Sequence, residues 1–401
     1  MDFKARLILE DGAVFEGKAA GFPKSVSGEV VFATGMTGYD LSLTDPSYTG
    51  QILTFTYPLI GNWGVPREEF WESGKIQVSG VVISDLTAAP SHYLMQKTLN
   101  DCLIEEKIPA IVGVDTRALT QKLREKGVML GKIVIDDKDI AVDDPNTRNL
   151  VAEVSTKKVI IHKPLSGWRL WKESRPHFAS LRGAKQHYTV TTGGLARRSS
   201  AMQSVGGKET TDRTRAKIAL LNCGAKRNIA RSLTARGATI YELPWNYDPF
   251  GNNLKIDGLV ISNGPGNPKM AKESIAIIKK ALDRKIPTFG ICLGNQLLAL
   301  AAGGNTYKLK FGHRAQNQPT IEVNSQRCYI TTQNHGFAVD EKKLPSGFKR
   351  WFYNANDNTN EGITHVKLPF LGVQFHPEAA PGPTDTNWLF DYFLERVTSD
   401  K

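Results

Sequence analysis

Cys292 stands in the run Pro287-Thr288-Phe289-Gly290-Ile291-Cys292-Leu293-Gly294-Asn295-Gln296, with a glycine two residues away on either side. An apolar segment leads into it and Ala/Leu-rich sequence of helical spacing leads away, so the run reads as strand, sharp turn and helix: a nucleophile elbow with sulfur in place of oxygen. Gly290 and Gly294 would let two backbones close on each other, because neither carries a Cβ. The turn would set the thiol at a helix N-terminus, where unpaired N–H groups and the macrodipole favour the thiolate. An inert core cysteine needs no such spacing.

A thiolate that attacks an amide carbonyl builds an oxyanion, and stabilising it calls for backbone N–H donors at about 3 Å, each worth on the order of 3 kcal/mol. Leu293, directly after the sulfur, offers one, and the turn Asn263-Gly264-Pro265-Gly266 a second. Gln296 follows Cys292 by about one helical turn, so its amide can face the same space and hold a polar substrate. The base is expected near the C-terminus. Leu371-Gly372-Val373-Gln374-Phe375-His376-Pro377-Glu378 reads as a strand ended by proline, with His376 to pair with the thiolate and Glu378 to fix its tautomer. His335, in Gln333-Asn334-His335-Gly336-Phe337, is expected in a turn beside the pocket.

These groups need a scaffold. Lys217 to Asn222, Thr239 to Glu242, Gly258 to Ser262 and Thr288 to Cys292 are short apolar strands separated by helical stretches, which predicts an α/β domain over residues 217–401 with a mostly parallel sheet. Ligands of such sheets sit beyond the strands' carboxyl ends, where Cys292 and Gly264 both fall. Residues 1–150 read as a separate α+β domain, with a hairpin around Asp11-Gly12, a helix from His92 to Glu106 and another from Arg117 to Glu125. Within it, Thr44-Asp45-Pro46-Ser47-Tyr48 reads on physical grounds as a turn and nothing more.

The formal charge of +11 is concentrated. Between Lys163 and Arg215 stand eleven basic residues against three acidic ones, and the rest of the chain is close to balanced. Residues 151–216 are therefore expected to be a basic, largely disordered linker; Trp168, Trp171, Phe178 and Tyr188 keep an RNA- or partner-binding arm as the alternative. Gly207-Lys208 is not a phosphate loop, since Glu209 stands where Ser or Thr should follow. Four scattered cysteines without metal-ligand spacing predict a reducing compartment and no metal. No apolar run approaches the roughly 18 residues of a membrane span.

Taken together, Gly290-Ile291-Cys292-Leu293-Gly294, Phe375-His376-Pro377-Glu378 and Ser262-Asn263-Gly264-Pro265-Gly266 resemble the triad-type (class I) glutamine amidotransferases. Gly35-Met36-Thr37-Gly38-Tyr39, Asp45-Pro46-Ser47-Tyr48 and Gly113-Val114-Asp115-Thr116-Arg117 narrow the resemblance to the small, glutaminase subunit of carbamoyl-phosphate synthetase, and Asn360-Glu361-Gly362-Ile363 to its animal versions. The resemblance implies hydrolysis of L-glutamine through a thioester on Cys292, with His376 and Glu378 completing a triad. It implies glutamine binding by Ser47, Gly264, Gly266, Leu293, Gln296, Asn334, Gly336 and Phe337, which makes the turn at Ser47 part of the pocket. It further implies delivery of ammonia to a synthetase large subunit or domain that uses bicarbonate, ATP and Mg, with no cofactor in this chain and neither nucleic acid nor membrane as a partner. The cytoplasm is the expected compartment, or the mitochondrial matrix if the N-terminus is incomplete. Asn295 departs from the histidine of most relatives; the ammonia-dependent form shares the asparagine but lacks the cysteine. A catalytically silent docking module, and a cysteine hydrolase of other γ-glutamyl compounds, remain as alternatives.

Overall fold

The computed structural model describes residues 3–164 and 216–399. In the first half, seven strands close into a barrel in the order Lys4–Leu9, Val14–Gly21, Pro109–Val112, Gly80–Ile83, Gln51–Phe55, Val26–Ala33 and Met129–Ile135. Successive residues on its central strands point to opposite sides. Val30, Ile52 and Val82 fill the barrel together with Leu7, Ile111 and Ile133; Val31, Leu53 and Val81 face outward into a second core with Leu99 and Leu103. Burial on both faces is why these strands read as unbroken apolar runs. The hairpin at Asp11-Gly12 is present, closed by Gly12 N–H donating to Leu9 O at 2.9 Å.

The first long helix is shorter than its sequence pattern. It spans Leu99–Glu105, where the pattern suggests a start at His92. Thr98 Oγ1 accepts from Asp101 N–H at 3.1 Å, and this N-cap fixes the start. The Thr116–Lys126 helix is capped likewise by Asp115 and stops at Gly127, whose φ is 108°.

The second half is built on a ten-stranded sheet. Its middle is five parallel strands in the order Thr239–Pro244, Lys217–Asn222, Gly258–Ile261, Thr288–Ile291 and Phe370–Val373. Beyond Phe370–Val373 the sheet continues antiparallel through Asn360–His365, Phe348–Asn354, Thr306–Glu322 and Cys328–Val339. This mixed sheet corrects the mostly parallel expectation. The parallel strands are sandwiched between two cores, one around Phe289, Phe390 and Phe393 and one around Leu297, Leu298 and Ile278.

Two further expectations change. Gln333 to Phe337 lie inside the Cys328–Val339 strand rather than in a turn; the long hairpin has register shifts between Lys308 and His313 and between Ala315 and Gln318, which blur its alternation. The first part of the expected linker is ordered: Leu150–Val154 is a helix that buries Val151 in the sheet core, and Ile160–His162 is an edge strand antiparallel to Thr239–Pro244. His162 Nε2 lies 2.7 Å from the Glu242 carboxylate there. The bulk of the basic segment, residues 165–215, lies outside the described residues. Among the described residues no helix is long and apolar enough to cross a membrane.

Candidate active site

Cys292 follows directly on the Thr288–Ile291 strand and is the N-cap of the Leu293–Ala301 helix, with φ 54° and ψ −105°. That conformation disfavours a side chain, and the neighbours hold it in place: Cys292 N–H donates to Val373 O at 2.8 Å. Both flanking glycines are required by close approach. A Cβ on Gly290 would come within 2.4 Å of Gly294 O, and one on Gly294 within 2.2 Å of Ile261 O. Asn295 N–H already donates to Cys292 O at 3.1 Å, while Leu293 N–H, at the first position of the helix, has no intrahelical acceptor and is left for a ligand. Elsewhere, burial pushes the thiols of Cys102 and Cys223 up to about 12.

His376 lies three residues past the Phe370–Val373 strand, with its N–H donating to Thr332 O at 2.9 Å. Its Nδ1 is 2.6 Å from Glu378 Oε1, and both side chains are buried. Nε2 has no hydrogen-bond partner among the described residues, which leaves it for chemistry. Burial, the largest influence, and Lys226 would lower the His376 pKa; the Glu378 carboxylate and the Cys292 sulfur together outweigh them and raise it to about 10, so the imidazole is held charged. For Glu378 burial pushes upward, and Lys226 and His376 overcome it, so the carboxyl stays ionised below its usual range. Lys226, itself buried, places Nζ 3.3 Å from Glu378 Oε1 and donates to Ala379 O.

A cavity opens in front of the sulfur. All eight residues expected to hold substrate line it, together with Cys292. Ser47 comes from the barrel half. It sits in the short 3-10 turn Pro46–Tyr48, where Asp45 Oδ1 accepts its N–H at 2.9 Å, so the turn predicted from sequence exists and also forms a wall. Asn263 Nδ2 donates to Ser47 Oγ at 2.9 Å and Asn334 Nδ2 to Asp45 Oδ2 at 3.0 Å, fastening the turn to the sheet. Gln296 Nε2 donates to Phe337 O at 2.8 Å. A further polar clasp lies behind the triad: Glu72 of the barrel half accepts Asn228 N–H at 2.9 Å, at the start of the Arg227–Thr234 helix, and is 3.3 Å from Arg231 Nη1.

Sequence reading missed Lys226 and Gln374. Lys226 stands just past the carboxyl end of the Lys217–Asn222 strand, the same kind of position that singles out Cys292, so the signal existed. Gln374 Nε2 lies 3.6 Å from Cys292 Sγ while its Oε1 accepts from Gln296 Nε2 at 3.1 Å. Its place two residues before His376 in an extended run is the signal there. Asn295, by contrast, is buried with neither side-chain polar atom hydrogen-bonded among the described residues.

Residues 7–133 match the family described as carbamoyl-phosphate synthase small chain, CPSase domain, and residues 219–396 match glutamine amidotransferase class-I. The chain is 44% identical over 404 residues to multifunctional protein CAD of Squalus acanthias, covering 98% of this chain and 16% of that one. It is 42% identical over 417 residues to multifunctional protein pyr1-3 of Dictyostelium discoideum, covering 99% of this chain and 17% of that one. To the mitochondrial carbamoyl-phosphate synthase [ammonia] of Mus musculus it is 42% identical over 408 residues, covering 99% of this chain and 24% of that one. The chain thus spans a quarter or less of the length of these relatives.

Proposed function

The chain belongs to the carbamoyl-phosphate synthase small-chain family, with a class I glutamine amidotransferase domain, and on that premise we propose that it hydrolyses L-glutamine to glutamate and ammonia. The observation that carries this is the left-handed Cys292 at the head of a helix, facing a cavity with the buried His376–Glu378 pair behind it. In the first step Cys292 Sγ bonds to the γ-carbonyl carbon and the carbonyl electron pair moves onto oxygen. Leu293 N–H and the Gly264–Gly266 turn receive the oxyanion, each donor contributing on the order of 3 kcal/mol. Collapse breaks the C–N bond, and His376 gives its proton to the leaving nitrogen, which departs as ammonia. Water then attacks the γ-glutamyl thioester, His376 takes its proton, and the C–S bond breaks to release glutamate. Glu378 holds the imidazole's orientation and charge, and Lys226 keeps Glu378 ionised.

The ammonia is assigned to a carbamoyl-phosphate synthetase large subunit or fused domain, which would use bicarbonate, ATP and Mg to make carbamoyl phosphate for pyrimidine or for arginine and urea synthesis. The names of the relatives support that partner. The compartment is assigned as cytoplasm or mitochondrial matrix. The orphaned amide of Asn295 favours one second reading, a catalytically silent module docked on a synthetase.

Intact-mass measurement after incubation with a glutamine-mimicking diazoketone separates the two. One adduct that maps to Cys292, is suppressed by glutamine and is absent from Cys292→Ser is the outcome expected of a glutaminase. A folded chain that takes no adduct is the silent module.

A further inference from the structure

His313 and His335 are directly opposite each other on the Thr306–Glu322 and Cys328–Val339 strands, their rings edge to face with centroids 4.9 Å apart. Glu361, on the Asn360–His365 strand, reaches toward the same point. One ring nitrogen of each histidine and a Glu361 carboxylate oxygen lie within 4.8 Å of one another, and the three residues are buried. We propose that these residues form a binding site for a divalent transition metal of the zinc class.

The outer nitrogen of each ring is already committed. His313 Nε2 is 2.9 Å from Asp357 Oδ2, and His335 Nδ1 is 2.9 Å from Phe337 O. A carbonyl can only accept, so His335 carries its proton on Nδ1 and turns a lone pair inward on Nε2. A carboxylate behind one imidazole and a backbone carbonyl behind the other are the outer partners that orient metal-binding histidines.

The inner atoms converge at ion-pair distance but off hydrogen-bond geometry. His313 Nδ1 is 3.2 Å from Glu361 Oε1, yet it makes no hydrogen bond, and neither does Glu361 Oε2. His335 Nε2 is 3.9 Å from Glu361 Oε1 and 3.2 Å from Gln333 Oε1, so oxygens face its lone pair. A cation among them would satisfy all of these atoms at once. Asn354 Nδ2 donates to Glu361 Oε1 at 3.4 Å. Two imidazoles and a carboxylate are a zinc-type donor set with a fourth position open to water. The metal would clamp three strands, one of which carries Asn334, Gly336 and Phe337 on the cavity wall.

The test uses the Cys292→Ser chain, so that the thiolate cannot bind metal itself. After equilibration with zinc and removal of excess, elemental analysis is expected to find one equivalent that is lost in His313→Asn and again in Glu361→Gln, and zinc should raise the melting temperature of the parent alone. Cobalt(II) in the parent should give visible d–d bands of nitrogen and oxygen ligation without thiolate charge transfer, which decides the matter even if both variants fail to fold. A folded parent that keeps no zinc and gives no such cobalt spectrum, or folded variants that bind as much as the parent, would overturn the proposal. In that case a second proton on His313, at Nδ1 facing the Glu361 carboxylate, is what satisfies the cluster.

Discussion

The two halves of the chain meet at one cavity and bring different things to it. The sheet half supplies Cys292, His376 and Glu378, each set by backbone geometry at the carboxyl end of a parallel strand. The barrel half supplies Ser47 and, behind it, Asp45 and Glu72, polar side chains that reach across and bond to the sheet half. The difference suggests a division of labour, with bond making and breaking and most of the pocket wall on the sheet side, and the closing and fastening of one wall, at Ser47, on the barrel side.

Predictions that could break this division run from large effects to small. Cys292→Ser should abolish diazoketone labelling and cut glutamine hydrolysis by roughly 10⁶-fold, as loss of a nucleophile does elsewhere. His376→Asn should lower kcat by about 10²–10⁴-fold in a folded protein, as steady-state kinetics would report. Lys226→Met removes the cation from a buried cluster and should cost about 3–5 kcal/mol in urea unfolding, an effect on structure as well as rate. If that variant is as stable as wild type, Lys226 is not what offsets the burial of Glu378.

Glu378→Gln gives the comparison a pH signature. His376 is raised by its partner, so the pair's contribution is complete below the ordinary imidazole value of 6.5 and drains as pH climbs through the folded value. Glu378 is lowered, so its share is complete above the ordinary 4.5 and is lost only as pH falls through its folded value. The stability gap between wild type and Glu378→Gln should therefore be widest between pH 4.5 and 6.5 and narrow toward alkaline pH. Urea titrations at three pH values check this, and a gap that widens above neutrality contradicts it. The smallest effect belongs to the barrel: Ser47→Ala should raise KM by roughly tenfold, about one hydrogen bond, and leave kcat nearly unchanged. A fall in kcat at constant KM would dissolve the division.

What could be read from the sequence follows the same line. Cys292 announces itself because both glycines that its turn requires stand two residues from it in the chain, even though Gly294 answers to Ile261 O on a neighbouring strand. The parallel strands are legible as short apolar runs. Closure of the barrel is not, because Val26–Ala33 pairs with Gln51–Phe55 and Met129–Ile135 through contacts distant in sequence. The antiparallel strands were hidden by composition, since Thr306–Glu322 carries Lys308, Lys310, Arg314 and Gln316 and is bulged twice. Asn334-His335-Gly336 has turn-forming residue types yet lies in a strand, because its partner strand supplies the hydrogen bonds. At Ser47 the local reading was correct and the role was missing, and only the resemblance supplied it. His313, His335 and Glu361 have no motif to give them away; three strands bring them together.

The backbone of Cys292 also has a bearing on how such a chain could change over generations. A non-glycine residue held at φ 54° forfeits about 1–3 kcal/mol that glycine would recover. Selection for the reaction must therefore keep working against selection for a sturdier fold at this one position. In a lineage that no longer needed the reaction, replacement of the cysteine would be rewarded rather than merely tolerated, and position 292 is where the loss of function would be written first.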